Sequence, residues 1–145
     1  MIKKYSLREH GREHELSQHF TLGEFACKDG TDEVFVSEQL VILLEEIRAW
    51  CKLHVTNDAR IIITSGYRTE KYNERVGGEK HSFHKRGMAA DFKVIGFGNA
   101  PIDPYVIYHA INDGKVTDDF KGGLGLYPSW VHVDVRGNTA RWNKS

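Results

Sequence analysis

Asp91 stands seven positions after His84 in the run Ser82-Phe83-His84-Lys85-Arg86-Gly87-Met88-Ala89-Ala90-Asp91, and a second histidine, His132, follows about forty residues later in Val131-His132-Val133-Asp134. Two imidazoles and one carboxylate form a set that holds zinc and leaves a fourth tetrahedral position for water. If the three converge, the fold around them is tightly constrained. On a helix, His84 and Asp91 would share a face, yet their Cα atoms would lie roughly 10 Å apart along the axis, whereas each ligand atom must come within about 2 Å of the same ion. The spacing therefore predicts a loop feeding a strand. Gly87 supplies the turn residue, and residues 90–95 make a short strand that begins at the carboxylate. His132 falls in a second strand, Trp130 to Val135, whose alternation sets Trp130, His132 and Asp134 on one face. Convergence then requires that these two strands be neighbours.

The rest of the chain reads as a mixed α+β order. Thr21-Leu22-Gly23-Glu24 has the form of a capping box and opens a short helix. Ser37 caps a longer one from Glu38 to about Leu53, in which Leu40, Leu43, Leu44, Ile47 and Cys51 make an apolar stripe. Residues 60–64 form a buried strand. A short helix runs from Thr69 to Val76 and stops at Gly77-Gly78. Asp103-Pro104 opens another helix that ends before Gly114, and residues 122–126 and 130–135 form two last strands joined through Pro128.

With 145 residues, the chain is long enough for one domain with its own core. We expect a charged N-terminal arm over residues 1–18 and a single domain over 19–145. The 20 acidic and 20 basic residues balance, so no net field draws the protein to nucleic acid or an anionic membrane. Cys27 and Cys51 form no metal-binding pair and are expected as buried, reduced thiols. No run approaches a membrane span. Met1 to Leu16 lack the apolar core of a signal peptide, which predicts a protein made in the cytoplasm that meets a cell wall through a phage-type lysis route or processes wall fragments returned to the cytosol. A monomer is expected.

The pattern Ser-x-His-x-x-Gly-x-Ala-x-Asp at Ser82–Asp91, with Val131-His132 later on a strand, resembles the zinc D-Ala-D-Ala carboxypeptidase family. That family is related to lysostaphin-type endopeptidases and the Hedgehog domain. Ser65-Gly66-Tyr67-Arg68-Thr69, Gly77-Gly78, the segment His19 to Phe25 and the ending Tyr127 to Asp134 extend the likeness over roughly residues 19 to 142, and it is strongest with small single-domain members of bacteria and their phages. The resemblance implies a Hedgehog/DD-peptidase-like zinc fold, a small mainly antiparallel sheet flanked by helices. It also implies a peptidase acting on peptidoglycan peptide stems, as a carboxypeptidase or an endolysin-type endopeptidase, with Zn2+ held by His84, Asp91 and His132. A non-catalytic Hedgehog-like zinc module is the alternative.

Around the metal, Arg68 follows an apolar strand on a loop of the kind that displays functional groups, and its guanidinium suits a substrate carboxylate. Its other reading is an ion pair with Glu70 or Glu74. Ser82 either bonds the substrate backbone or shapes its loop. His81 is the rival ligand, three residues before His84. The chain departs from the family at the general base: many members carry an acid three residues before the last histidine ligand, where Ser129 stands here. Asp134 is the leading substitute, because the strand period aims it to the same side as His132. Its other reading is to orient a ligand histidine through the second ring nitrogen.

Overall fold

The computed structural model describes residues 1–145. Its centre is a five-stranded sheet of β3 (Arg60–Ser65), β4 (Ala89–Ile95), β5 (Gly123–Leu126), β6 (Val131–Asp134) and β7 (Ala140–Asn143), in spatial order β3-β4-β6-β5-β7. All its pairings are antiparallel except β5 with β7, which run parallel. A two-stranded antiparallel ribbon, β1 (Ile2–Ser6) with β2 (Glu33–Ser37), lies apart from it. The fold is thus α+β with a small, mainly antiparallel sheet, and no helix is long and apolar enough to cross a membrane.

Alternation divides the large sheet into two unlike faces. Ala90, Phe92 and Val94 of β4, Val131 and Val133 of β6 and Leu124 and Leu126 of β5 all enter one cluster of 25 buried residues. Helix α3 (Glu38–His54) brings Leu40, Leu43, Leu44, Ile47 and Cys51 to that cluster, and α5 (Pro104–Asn112) brings Ile107 and Ile111. Burying each such side chain stabilises the fold by about 1.5–3 kcal/mol. The residues between them, Asp91 and Lys93 on β4, His132 and Asp134 on β6, Gly123 and Gly125 on β5, point by the same period to the other face.

The helix starts follow the sequence signals. Ser37 Oγ accepts from Leu40 N and opens α3, and Asp103 accepts from Tyr105 N at the start of α5. The capping box of Thr21 and Glu24 closes on α2 (Leu22–Phe25), and Thr69 caps α4 (Glu70–Arg75). Strand and helix limits differ from the expected ones by a residue or two, as frayed ends do. The elements that went unread are β1, β2, β7, the four-residue helix α1 (Leu7–His10) and a 3-10 turn at Phe97–Asn99. β1 and β7 have no fully buried residue. Backbone pairing holds them in place, and it leaves little mark on side-chain pattern. Cys27 and Cys51 are free and buried.

Candidate metal centre

The register of the sheet brings the three candidate ligands together. Asp91 on β4 lies directly across from His132 on β6. His84 arrives from the side, inside a 3-10 turn (Phe83–Arg86) that ends at Gly87. Gly87 adopts φ +72, and a Cβ there would strike the backbone of Phe35, so both its conformation and its contact require glycine. The expected loop feeding a strand is therefore present, tightened into one turn. Ser82 Oγ accepts from His84 N at 3.2 Å and shapes this turn.

The three side chains offer ligand atoms that all lie within 4.8 Å of one another. Asp91 Oδ1 is 2.8 Å from His132 Nδ1 and 3.3 Å from His84 Nε2. A tetrahedral centre with bonds near 2 Å sets its ligand atoms roughly 3.3 Å apart; the His84 contact meets that spacing and the His132 contact is shorter, so small shifts let the group hold a metal ion. The outer nitrogens are also accounted for. His84 Nδ1 donates to the Gly66 carbonyl at 2.8 Å, leaving Nε2 to face the site. His132 is reversed: Nε2 donates to Asp134 Oδ2 at 2.7 Å, and Nδ1 faces the site. Partners of this kind fix the tautomer and aim of a metal-binding imidazole. His81 stands exposed on the cleft rim, outside the group.

Asp134 is fully buried, and its carboxylate is surrounded. Besides His132 it accepts from Gly123 N at 3.0 Å and from Arg136 Nε and Nη2, both at 2.8 Å. Gly123 has no side chain because a Cβ there would overlap that carboxylate, and Gly125 makes room in the same way for the Trp142 indole. Burial pushes the Asp134 carboxyl up, but the hydrogen bonds from Arg136 and His132 outweigh it and hold it well below the usual range. Asp91 behaves likewise, raised by burial and lowered further by His132 and His84. Burial lowers His132, while its bonds to Asp134 and Asp91 raise it, with a net rise.

Arg68 meets neither Glu70 nor Glu74. Its Nε donates to Ser65 Oγ at 3.0 Å, Nη1 to Asn73 Oδ1 at 3.1 Å and Nη2 to Asp91 Oδ2 at 3.3 Å. The guanidinium thus supports the ligand carboxylate from the side away from the histidines. Asn73, only 2% exposed, holds Arg68 in turn while its Nδ2 donates to the Glu79 carbonyl at 2.8 Å. The tight packing of Gly78 against both side chains explains the glycine there. Sequence reasoning missed Asn73 and Arg136. Arg136 carried a readable signal, as the next residue in the His132, Asp134 alternation, whereas Asn73 did not, since its partners are tertiary.

These groups floor a cleft of about 750 Å³. Phe83, Tyr127, Trp130 and Trp142 line it, with Tyr127 and Trp130 stacked at 4.5 Å and Arg136 lying 4.4 Å over the Phe83 ring. Tyr67 packs against Phe35. A carboxylate-imidazole cluster at the floor of an aromatic cleft is suited to hold a metal and a peptide together. Residues 18–134 match the model of the family Peptidase M15. The chain belongs to that family. As an M15 protein it is a metallopeptidase of a group that acts on peptidoglycan, and His84, Asp91 and His132 lie within the matched span. No curated protein gives a match.

Proposed function

We propose that this M15 protein is a zinc metallopeptidase that hydrolyses peptide bonds in the stems of bacterial cell-wall peptidoglycan. The observation that carries the reading is the convergence of His84 Nε2, Asp91 Oδ1 and His132 Nδ1 at the floor of the cleft. Zinc, when bound there, supplies the positive charge that polarises a carbonyl and brings the pKa of water to about 7.

In the hydrolysis, a water oxygen bonds to the scissile carbonyl carbon, the C–N bond breaks, and the amine leaves with a proton. Arg68 keeps Asp91 aimed and presents its guanidinium at the cleft, where it grips a substrate carboxylate or carbonyl. Ser82 uses its oxygen to cap the turn, which leaves its O–H to donate to the substrate backbone. The surroundings of Asp134 favour the orienting role over that of base: the carboxylate is buried behind His132 with every oxygen engaged. Glu79 is the one acid lining the cleft besides the ligand Asp91, and it is exposed. We assign it the proton that water gives up.

The purified zinc form, incubated with peptidoglycan, should release new amino groups. Mass analysis of the digest then separates D-Ala release from cleavage within a cross-link. Glu79→Gln should lower turnover by something like 100-fold to 10,000-fold, the usual worth of a positioned proton acceptor, with zinc content unchanged. Stoichiometric zinc with no product from any wall preparation would favour the non-catalytic module, the reading that Ser129 at the usual position of the acid supports.

A further inference from the structure

A second hollow lies beyond the ligand Asp91. Its volume is about 360 Å³, and Thr64, Ser65, Tyr72, Lys93 and Ser129 line it. Arg68, Val76, Asp91 and Trp130 belong to the walls of both hollows, so the two meet over the metal ligand. Neither side is closed off: Lys93 and Ser129 on the far side, Glu79 and His81 on the near one and Val76 between them are open to solvent.

The far hollow also has its own charge. Lys93 follows Asp91 by two residues on β4, which puts both on the same face of the sheet. Arg68 is taken up by Asp91, but Lys93 is in no ion pair.

We infer that the peptide substrate runs through the metal centre instead of ending at it, with residues in both hollows and a substrate carboxylate held by Lys93. This rests on the peptidase reading and makes the enzyme an endopeptidase for acidic peptides. A carboxypeptidase needs an end wall around the terminal carboxylate, and the exposed rim of the far hollow provides none.

Two synthetic peptides test it, both containing the bond cut in the wall digest and an acidic residue on its far side. One ends in a free carboxylate one residue past that bond; the other is extended by several residues and amidated. The zinc-loaded full chain should cleave the extended, amidated peptide within about threefold of the rate for the short one. Lys93→Ala should raise KM for the extended peptide about 10-fold at unchanged kcat, and Lys93→Arg should restore it. In a zinc-free His84→Ala protein the amidated peptide should still shift the amide signals of Thr64, Ser65 and Lys93. Cleavage of the short peptide alone would overturn the inference and leave a carboxypeptidase. An unchanged KM in Lys93→Ala would remove the Lys93 contact. A wall digest that yields no cut bond would bring down the peptidase reading beneath it.

Discussion

The two faces of the large sheet are built from the same strands and do opposite work. On one face every second residue of β4, β5 and β6 is apolar, and it packs on α3 and α5 into the single core. On the other the alternate residues are Asp91, Lys93, His132, Asp134 and two glycines; Lys93 is exposed, and the acids and imidazole set deeper are each partnered. Stability therefore resides on the core face, and chemistry on the face that stability can spare. Asp134 bridges the division, because it is as deeply buried as the core yet bonds His132 of the candidate metal centre.

Substitutions on the two faces should separate these roles. The largest stability loss belongs to the core face: Phe92→Ala, at a side chain only 1% exposed, should cost about 3–5 kcal/mol in denaturant unfolding while the protein that remains folded keeps its zinc. Loss of zinc affinity in the folded Phe92→Ala protein would show that the faces are not independent. On the site face, Asp134→Asn should weaken zinc binding by roughly 10-fold to 100-fold, about 1.4 to 2.7 kcal/mol, because the His132 imidazole loses its anionic partner. Saturating zinc should recover much of the activity. A turnover deficit that zinc cannot recover would return Asp134 to the role of proton acceptor.

Arg68→Lys keeps the charge but loses the planar fork that spans Ser65, Asn73 and Asp91. Its expected effect is a fall in kcat/KM of about 10-fold, with the melting temperature held; equal loss of stability and activity would place Arg68 with the scaffold. At neutral pH the smallest effect concerns Cys51 on the core face. Burial pushes its thiol up from 9.0 to about 12, so the native group stays protonated and should resist alkylation at pH 8. The sign follows from the raised value. Stability is fully present below about pH 9, where the unfolded thiol is also protonated, and is lost as pH rises from there through about 12. Replacing Cys51 with Ala should flatten that alkaline loss.

Much of this division was legible in the sequence because period-two alternation is itself a sequence property. Val131-His132-Val133-Asp134 and Ala90 to Ile95 state which residues go to the core and which to the site, and the ligand spacing forces their strands to adjoin. Ser37, Thr69 and Asp103 mark helix starts because a cap is a local interaction. The signals failed where structure depends on distant partners. β1 and β7 are held by backbone pairing and lack an apolar run. The placing of Arg68 against Asp91, with Asn73 behind it, follows from how the loop after β3 folds over β4. The glycines of Gly123-Leu124-Gly125 had a meaning visible only once Asp134 and Trp142 stood against them.

Zinc stoichiometry, read by native mass spectrometry on the wild type and on the His84→Ala, His132→Ala double variant, tests the centre most directly. The wild type should carry one zinc per chain and the folded double variant none. A double variant that keeps one zinc per chain would place the site elsewhere, with His81 the first residue to examine, and the account of this face of the sheet would fall.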